Sequence, residues 1–372
     1  MIGVAGATGS VGRLVVGELV RLGAGPLRLG GRRSEELRRI AAPLADAEQV
    51  SLELNDPEST ARFCCGVDVV VNCAGPSYVI LDRLALAARE AHASYVDVSG
   101  DEPVYERLQR EAPTAFTAVL SAGMLPGLSG LVPRWMAQGL DGVESLTTYI
   151  GGLERSSPSS ATDMILSMES DHGSSYGLPL AGWRAGRVVP RLLRPIKEME
   201  IPFVPDLVSA YPFFSGESER LASSLRLEKH DFWNVFVGER LITAFSSLRG
   251  RDLSGAALDR AVADMTEAAR LDLLGREPYY ALIFCMEGTK EGGSLSRTTA
   301  IRTSDAYRLI ASVAALSACA VNEGRIGPGI GFAAEVLEPD WAIERIRRSP
   351  AIDAFEVVDR ERDDDPMDEG AI

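Results

Sequence analysis

Three groups of residues in this chain have types and spacings that chemistry could use. The first is Gly6-x-x-Gly9-x-x-Gly12. It closes the short apolar run Met1 to Ala5 and opens a helical pattern with Val11, Leu14, Val15, Leu19 and Leu22 on one face. In a strand–loop–helix setting, Gly6 permits a tight turn, Gly9 lets backbone approach a pyrophosphate, and Gly12 lets the helix pack close to the strand. The anion then rests on the free N–H groups at the positive end of the helix dipole, beside Thr8, Ser10 and Val11. A turn that is merely glycine-rich is the alternative. The strand, loop and helix order, followed by five further strands, favours a dinucleotide.

The second group is Arg32-Arg33, directly after Leu29-Gly30-Gly31 at the end of the second strand. NAD sites place an acid there for the ribose hydroxyls, but the first acid here is Glu35, already inside the next helical segment. Two guanidinium groups suit a 2′-phosphate, which they can grip bidentately, so the expected cofactor is NADP(H). A solvated basic pair on a loop is the competing reading. The third group is the candidate proton donors: His172, flanked by Asp171, and Tyr176. Tyr149 and His230 rank behind them, and His92 reads as structural at a helix end. A Tyr-x-x-x-Lys pair does not follow the fourth strand, where Tyr78 is followed by Asp82, which argues against a short-chain-type ketoreductase.

Other chemistries are disfavoured by composition. The 372-residue chain has five cysteines and three histidines, none at metal-ligand spacing, so no metal site is expected. The cysteines read as reduced core thiols in a cytoplasmic protein without a signal peptide. The longest apolar stretch, Leu309 to Val321, is too short and too interrupted by Ser to span a bilayer. A net charge of −15 repels nucleic-acid backbones and anionic lipid in bulk, although a local basic groove could still form, so neither nucleic acid nor membrane is an expected partner.

The elements that must position these residues alternate strand and helix through the first third. Strands are expected at Met1–Ala5, Pro26–Leu29, Val50–Leu54, Val67–Cys73, Tyr95–Val98 and Phe116–Leu120. Helices separate them, including Ser34–Ala41, Leu81–Ala93 and Glu102–Glu111. Helical crossovers of this length give a parallel sheet covered on both faces, the α/β doubly wound Rossmann architecture.

Three further segments then combine: Val70-Val71-Asn72-Cys73-Ala74-Gly75-Pro76, the run Ser94 to Asp101, and Ala122-Gly123-Met124-Leu125-Pro126-Gly127-Leu128-Ser129-Gly130. Together with the glycine loop, this combination resembles the saccharopine dehydrogenase-like oxidoreductases, the saccharopine reductase type included. The resemblance covers about the first 140 residues and revives near Gly324 to Pro339. It implies that Gly75-Pro76 lies against the cofactor and that Gly123 to Gly130 lines the nicotinamide side. Asn72, Ala74, Gly75, Pro76, Gly123, Pro126 and Gly127 therefore join the expected cofactor site. Independently of the family, each Gly-Pro or Pro-Gly pair falls where a parallel strand ends, at the crevice where ligands bind. One departure is Asp101, where relatives usually carry Glu; capping of the following helix is its expected role.

The expected domains are a dinucleotide-binding unit at 1–128, completed by 325–358, and a second α+β unit at 129–324 with a mainly antiparallel sheet for substrate or dimer contacts. An acidic disordered tail is expected at 359–372. In the second unit strands are expected at Ser145–Ile150, Asn234–Val237, Ile242–Phe245 and Tyr280–Met286, with helices at Gly255–Leu274 and Tyr307–Gly324. Arg184, Arg187, Arg191, Arg194 and Lys197 form a local basic cluster that could meet an anionic substrate, the cofactor phosphates or only solvent. The resulting expectation is an NADP(H)-dependent oxidoreductase that reduces a C=N bond of a small metabolite and can form a homodimer. Reduction of an activated C=C bond in a lipid or natural-product pathway, or non-catalytic NADP(H) binding, stand as alternatives.

Overall fold

The computed structural model describes residues 1–110, 115–167, 177–248 and 250–361. Its first sheet has seven parallel strands. In spatial order they are Glu48–Ser51, Leu27–Gly31, Ile2–Ala5, Val69–Asn72, Ser94–Asp97, Thr117–Leu120 and Gly329–Phe332. The middle strands are buried almost along their whole length because both faces are covered, with polar residues such as Asn72 and Asp97 only at their carboxyl ends. Val69 and Val71 point into one core with Val4, Val15 and Leu19, while Val70 points into the other with Phe63, Leu84 and Tyr95. The chain reverses direction across the sheet between Ile2–Ala5 and Val69–Asn72, so a crevice opens at their carboxyl ends.

The second sheet is mixed and ten-stranded. Its centre is Gly142–Leu153, parallel to Lys229–Phe236 on one side and antiparallel to Tyr279–Lys290 on the other. Tyr279–Lys290 continues through a hairpin into Gly293–Thr303. Leu146, Ile150, Leu282, Phe284 and Ile301 on one face pack into the same core as the helices of the first sheet. The opposite face, with Ala281, Ile283 and Val235, is covered by Ile201 and Val208.

Three expected boundaries are corrected. The helix Ala306–Asn322, assigned by sequence to the second unit, packs along the first helix, Ser10–Arg21, and over the strands Val69–Asn72 and Ser94–Asp97. Its small residues allow that close approach: thirteen of its positions, from Ala306 to Val321, are buried. The chain thus rejoins the first sheet before residue 325. Residues 354–361 do not complete that sheet. They form an edge strand of the second one against Gly293–Thr303, so residues 359–361, expected in a disordered tail, are strand; the rest of that tail lies outside the described residues. Arg297 holds this strand through two bonds to the Asp359 carboxylate, at 2.8 and 2.7 Å. Finally, Ile242–Phe245 is helical, within Arg240–Ser246, because the Asp272 carboxylate accepts from the Arg240 and Leu241 N–H groups at the helix start.

Candidate functional site

The glycine loop is built as its spacing suggests. Gly6 has φ +73°, and a Cβ there would lie 2.8 Å from the Ala74 nitrogen, so the loops after the first and fourth strands touch at this point. A Cβ on Gly12 would fall 2.1 Å from the Gly6 carbonyl oxygen, which locks the helix start against the turn. Gly9 differs: a Cβ there would meet only the Gly6 carbonyl oxygen, at 3.2 Å. Gly9 caps the helix Ser10–Arg21 in extended backbone, with no side-chain cap and no acid in the first turn. Free N–H groups and the positive end of the dipole therefore face an unfilled space beside Gly9, Ser10 and Val11, which is what a diphosphate requires. The Thr8 side chain is buried against Gly31, and only its neighbours' backbone faces outward.

The two arginines part company. One Arg33 nitrogen donates to the Thr8 carbonyl at 2.7 Å and another pairs with Glu36 at 2.9 Å, so Arg33 ties the glycine loop to the next helix. Arg32 is exposed and makes no ion pair or hydrogen bond among the described residues. It is the cation available to a 2′-phosphate at the end of the second strand. Glu35 is occupied by Arg39 at 2.5 Å and does not replace the acid of an NAD site.

Asn72 belongs to the site indirectly. It is buried, donating to the Tyr95 hydroxyl and the Asp97 carboxylate at 3.0 Å each and accepting from the Ala74 N–H at 3.1 Å. Asp97 also takes the Tyr95 hydroxyl and the N–H groups of Ser99 and Gly100. This satisfied network shapes the turns that bear Ala74, Gly75 and Pro76 without offering a free group to a ligand.

Opposite these turns stands a segment that sequence reasoning missed. A Cβ on Gly75 would lie 2.3 Å from the Ser159 Oγ, so the helix Pro158–Leu166 of the second unit abuts the Gly75-Pro76 turn. From that helix Asp163 reaches the N-terminus of Ser77–Ile80, and the Tyr78 N–H donates to its carboxylate at 3.4 Å. Burial pushes Asp163 up to about 6, against the pull of the Ser77 and Tyr78 N–H groups. Glu154, just before this helix, is raised to about 8 by burial and by the nearby Asp305. Both carboxyls are thus raised toward neutrality, and the segment is anchored where the Ser157 N–H donates to the Tyr307 hydroxyl at 2.8 Å. The sequence carried no signal for either: each is a single acid in a polar stretch, and its role depends on contacts with residues 77–78 and 305–307.

The Gly123–Gly130 loop is equally constrained. Gly123 would clash with the Val98 carbonyl and Gly127, at φ +125°, with the Ser121 and Gly123 carbonyls if either carried a Cβ; Pro126 sits between them in the same turn. Glu217, from the helix Gly216–Leu225, is buried beneath the loop and accepts from the Gly127 N–H at 2.6 Å and from the Ser129 hydroxyl. Desolvation lifts it to about 7. Asp101 does not cap its helix as expected. Only its carbonyl starts the helical bonding, while its Oδ1 is buried without a partner and burial raises the carboxyl to about 6 near Arg220.

The proton donors expected from sequence, His172 and Tyr176, lie outside the described residues. His230 is a core residue held between Ser218 and Thr148, and burial lowers it to about 4. Tyr149 stacks on Trp233 on the far face of the second sheet. Among the described residues no group of three or more His, Cys, Asp or Glu could hold a metal.

A doubly wound domain with a glycine turn at its switch point, an exposed cation one strand later and a helix of the second unit against the Gly75-Pro76 turn has the architecture of dinucleotide-binding folds. Residues 2–120 match the model of the saccharopine dehydrogenase NADP binding domain. The chain is 28% identical over 118 residues to the "Probable mitochondrial saccharopine dehydrogenase-like oxidoreductase" of Arabidopsis thaliana. That match covers 28% of this chain and 26% of the relative, about a quarter of its length. The fold as a whole is similar to apo saccharopine dehydrogenase (L-Glu forming) from Saccharomyces cerevisiae. The TM-score is 0.67 over 97% of this chain and 99% of that one, at 13% identity. The N-terminal part is thus similar in sequence to the NADP-binding domain of saccharopine dehydrogenases, the resemblance its motifs carry, and the two sheets together have a fold similar to that enzyme's.

Proposed function

We propose that this protein is an NADP(H)-dependent oxidoreductase of the saccharopine dehydrogenase-like type, reducing a C=N bond of a small metabolite. The observation that supports it best is the meeting of the two units at the Gly75-Pro76 turn, which sets Asp163 beside the cofactor cradle. NADPH, when bound, supplies the hydride. The chain's own residues do the rest. Ser10 and Val11 present N–H groups to the diphosphate, Gly9, whose own N–H is held by the Gly6 carbonyl at 2.8 Å, leaves room for it, and Arg32 meets the 2′-phosphate. Ala74, Gly75, Pro76 and the Gly123–Gly127 loop, with Pro126, give flat backbone walls for the nicotinamide end. A carboxyl raised toward neutrality can hold a proton for the imine nitrogen, and protonation there makes the carbon a better hydride acceptor. A cytoplasmic setting is part of this reading, supported by five free cysteines. So is a homodimer, which sedimentation would detect.

The test incubates the purified protein with NADPH and imines formed in solution from amino acids and α-keto acids, following NADPH oxidation and the secondary amine formed. One equivalent of amine per NADPH is expected. Oxidation with enoyl thioesters instead would put the C=C reductase in its place, and tight NADPH binding without turnover on either class would leave a non-catalytic module.

A further inference from the structure

The basic cluster noted in the sequence lies on strands and a loop of the second sheet. Between Arg184 and Lys197 the chain carries five cations and no acid, in a protein of net charge −15. Arg184 is committed to Asp231 by two bonds of 2.6 and 3.0 Å. Arg187, Arg191, Arg194 and Lys197 are exposed and make no ion pair or hydrogen bond among the described residues. None of them lies on a helix. They ride on the edge strand Arg187–Val189, the loop 190–195 and the strand Ile196–Met199, at one margin of the second sheet.

The same margin exposes aliphatic side chains. Leu192 and Ile196, on either side of Arg194, are two of the ten large apolar residues that stay exposed among the described residues. Leu192 is 38% exposed and Ile196 40%. Leu192 leans over Gly182, where a Cβ would meet it at 3.3 Å, and the loop is pinned by the Leu193 N–H to the Leu180 carbonyl at 3.0 Å. Ile196 pairs with Ala210 and Leu178 with Phe214, four residues apart on one strand and so about 14 Å distant. Single exposed aliphatics need no explanation, but aliphatics interleaved with unpaired cations on one margin do.

We propose that this margin is a docking surface for an anionic lipid bilayer, with Leu192 and Ile196 entering the headgroup layer and the four cations facing lipid phosphates. A bilayer asks for no shape match, only apolar tips flanked by cations. Exposed Glu198 and Glu200, just after Lys197, offset part of the attraction and leave the margin net positive, while acids farther from the membrane than about 8 Å are screened at physiological salt. Each cation near such a surface strengthens binding about fivefold, so four suffice for reversible attachment.

The experiment is co-sedimentation of the full chain with phosphatidylcholine vesicles and with vesicles also containing phosphatidylserine. Binding to the anionic vesicles alone, weakening as salt rises, is expected. The triple substitution Arg187→Ala, Arg191→Ala, Arg194→Ala is expected to lower it about a hundredfold, and Leu192→Ser with Ile196→Ser to abolish it. NADPH affinity stays unchanged in both variants, which shows they are folded. Equal binding to both vesicle types, no binding to either, or self-association without vesicles that the same substitutions remove would overturn the proposal.

Discussion

At Gly12 and Gly9 a methyl group would have opposite consequences, although both glycines belong to one motif. The Gly12 hydrogen faces the Gly6 carbonyl at a distance no carbon can occupy, so that position holds the turn together. Gly9 borders open space and has an ordinary φ of −74°. Gly9→Val is therefore expected to leave the thermal unfolding midpoint near that of the parent and to remove NADPH binding by calorimetry. Gly12→Val is expected to lower the midpoint, whatever its effect on the cofactor. If Gly9→Val bound NADPH as before, the diphosphate would not lie there. These glycines were readable from sequence because backbone geometry, not tertiary context, demands them. Asp163, Glu154 and Glu217 were not, since what makes each acid unusual is burial against segments at least 80 residues away or an equally remote environment; the Glu217 contact with Gly127 spans 90 residues.

At the scale of elements, the central strand Gly142–Leu153 decides how the second sheet is assembled. Gly151 pairs with Val235 in the parallel ladder, and a Cβ on it would lie 1.9 Å from the Val235 carbonyl oxygen. Gly151→Ala is expected to destabilise the protein by about 1–3 kcal/mol through overpacking, read as a lower urea midpoint. An unchanged midpoint would mean that the two strands are not so closely joined. Most strand and helix identities in the first third followed from periodicity, because those strands are short apolar runs between helical patterns; the third is the exception, since Glu48–Ser51 is polar and largely exposed and lies ahead of the apolar run expected at Val50–Leu54. Ile242–Phe245 misled for the same reason: four residues cannot distinguish a strand from a helix, and the Asp272 carboxylate that caps it lies thirty residues downstream. The Ala306–Asn322 helix was legible as a helix but not by partner, since its small buried face gives no sign of which sheet it covers.

For the molecule as a whole, the acids between the units set a pH dependence. Asp101, Asp163, Glu154 and Glu217 are all raised in the folded protein, chiefly by burial. A carboxyl raised on folding binds more protons in the native state, so its stability contribution is present at low pH and lost as pH climbs through the folded value. For Glu217 that window runs from 4.5 to about 7. Over it, stability is expected to fall by on the order of 3 kcal/mol at most. Glu217→Gln is expected to flatten that slope and keep the fold, because the amide oxygen can accept from Gly127 while its NH₂ donates to Ser129. A slope identical in the variant would assign it to other groups.

Selection of NADP(H) over NAD(H) is tested most directly at Arg32. Calorimetric titration of the parent and of Arg32→Ala with NADPH and with NADH compares the 2′-phosphate alone. Loss of a charge-assisted contact is expected to weaken NADPH by about 10–100-fold and to leave NADH unchanged. Equal affinities for the two cofactors in the parent, or equal losses in the variant, would contradict the central claim.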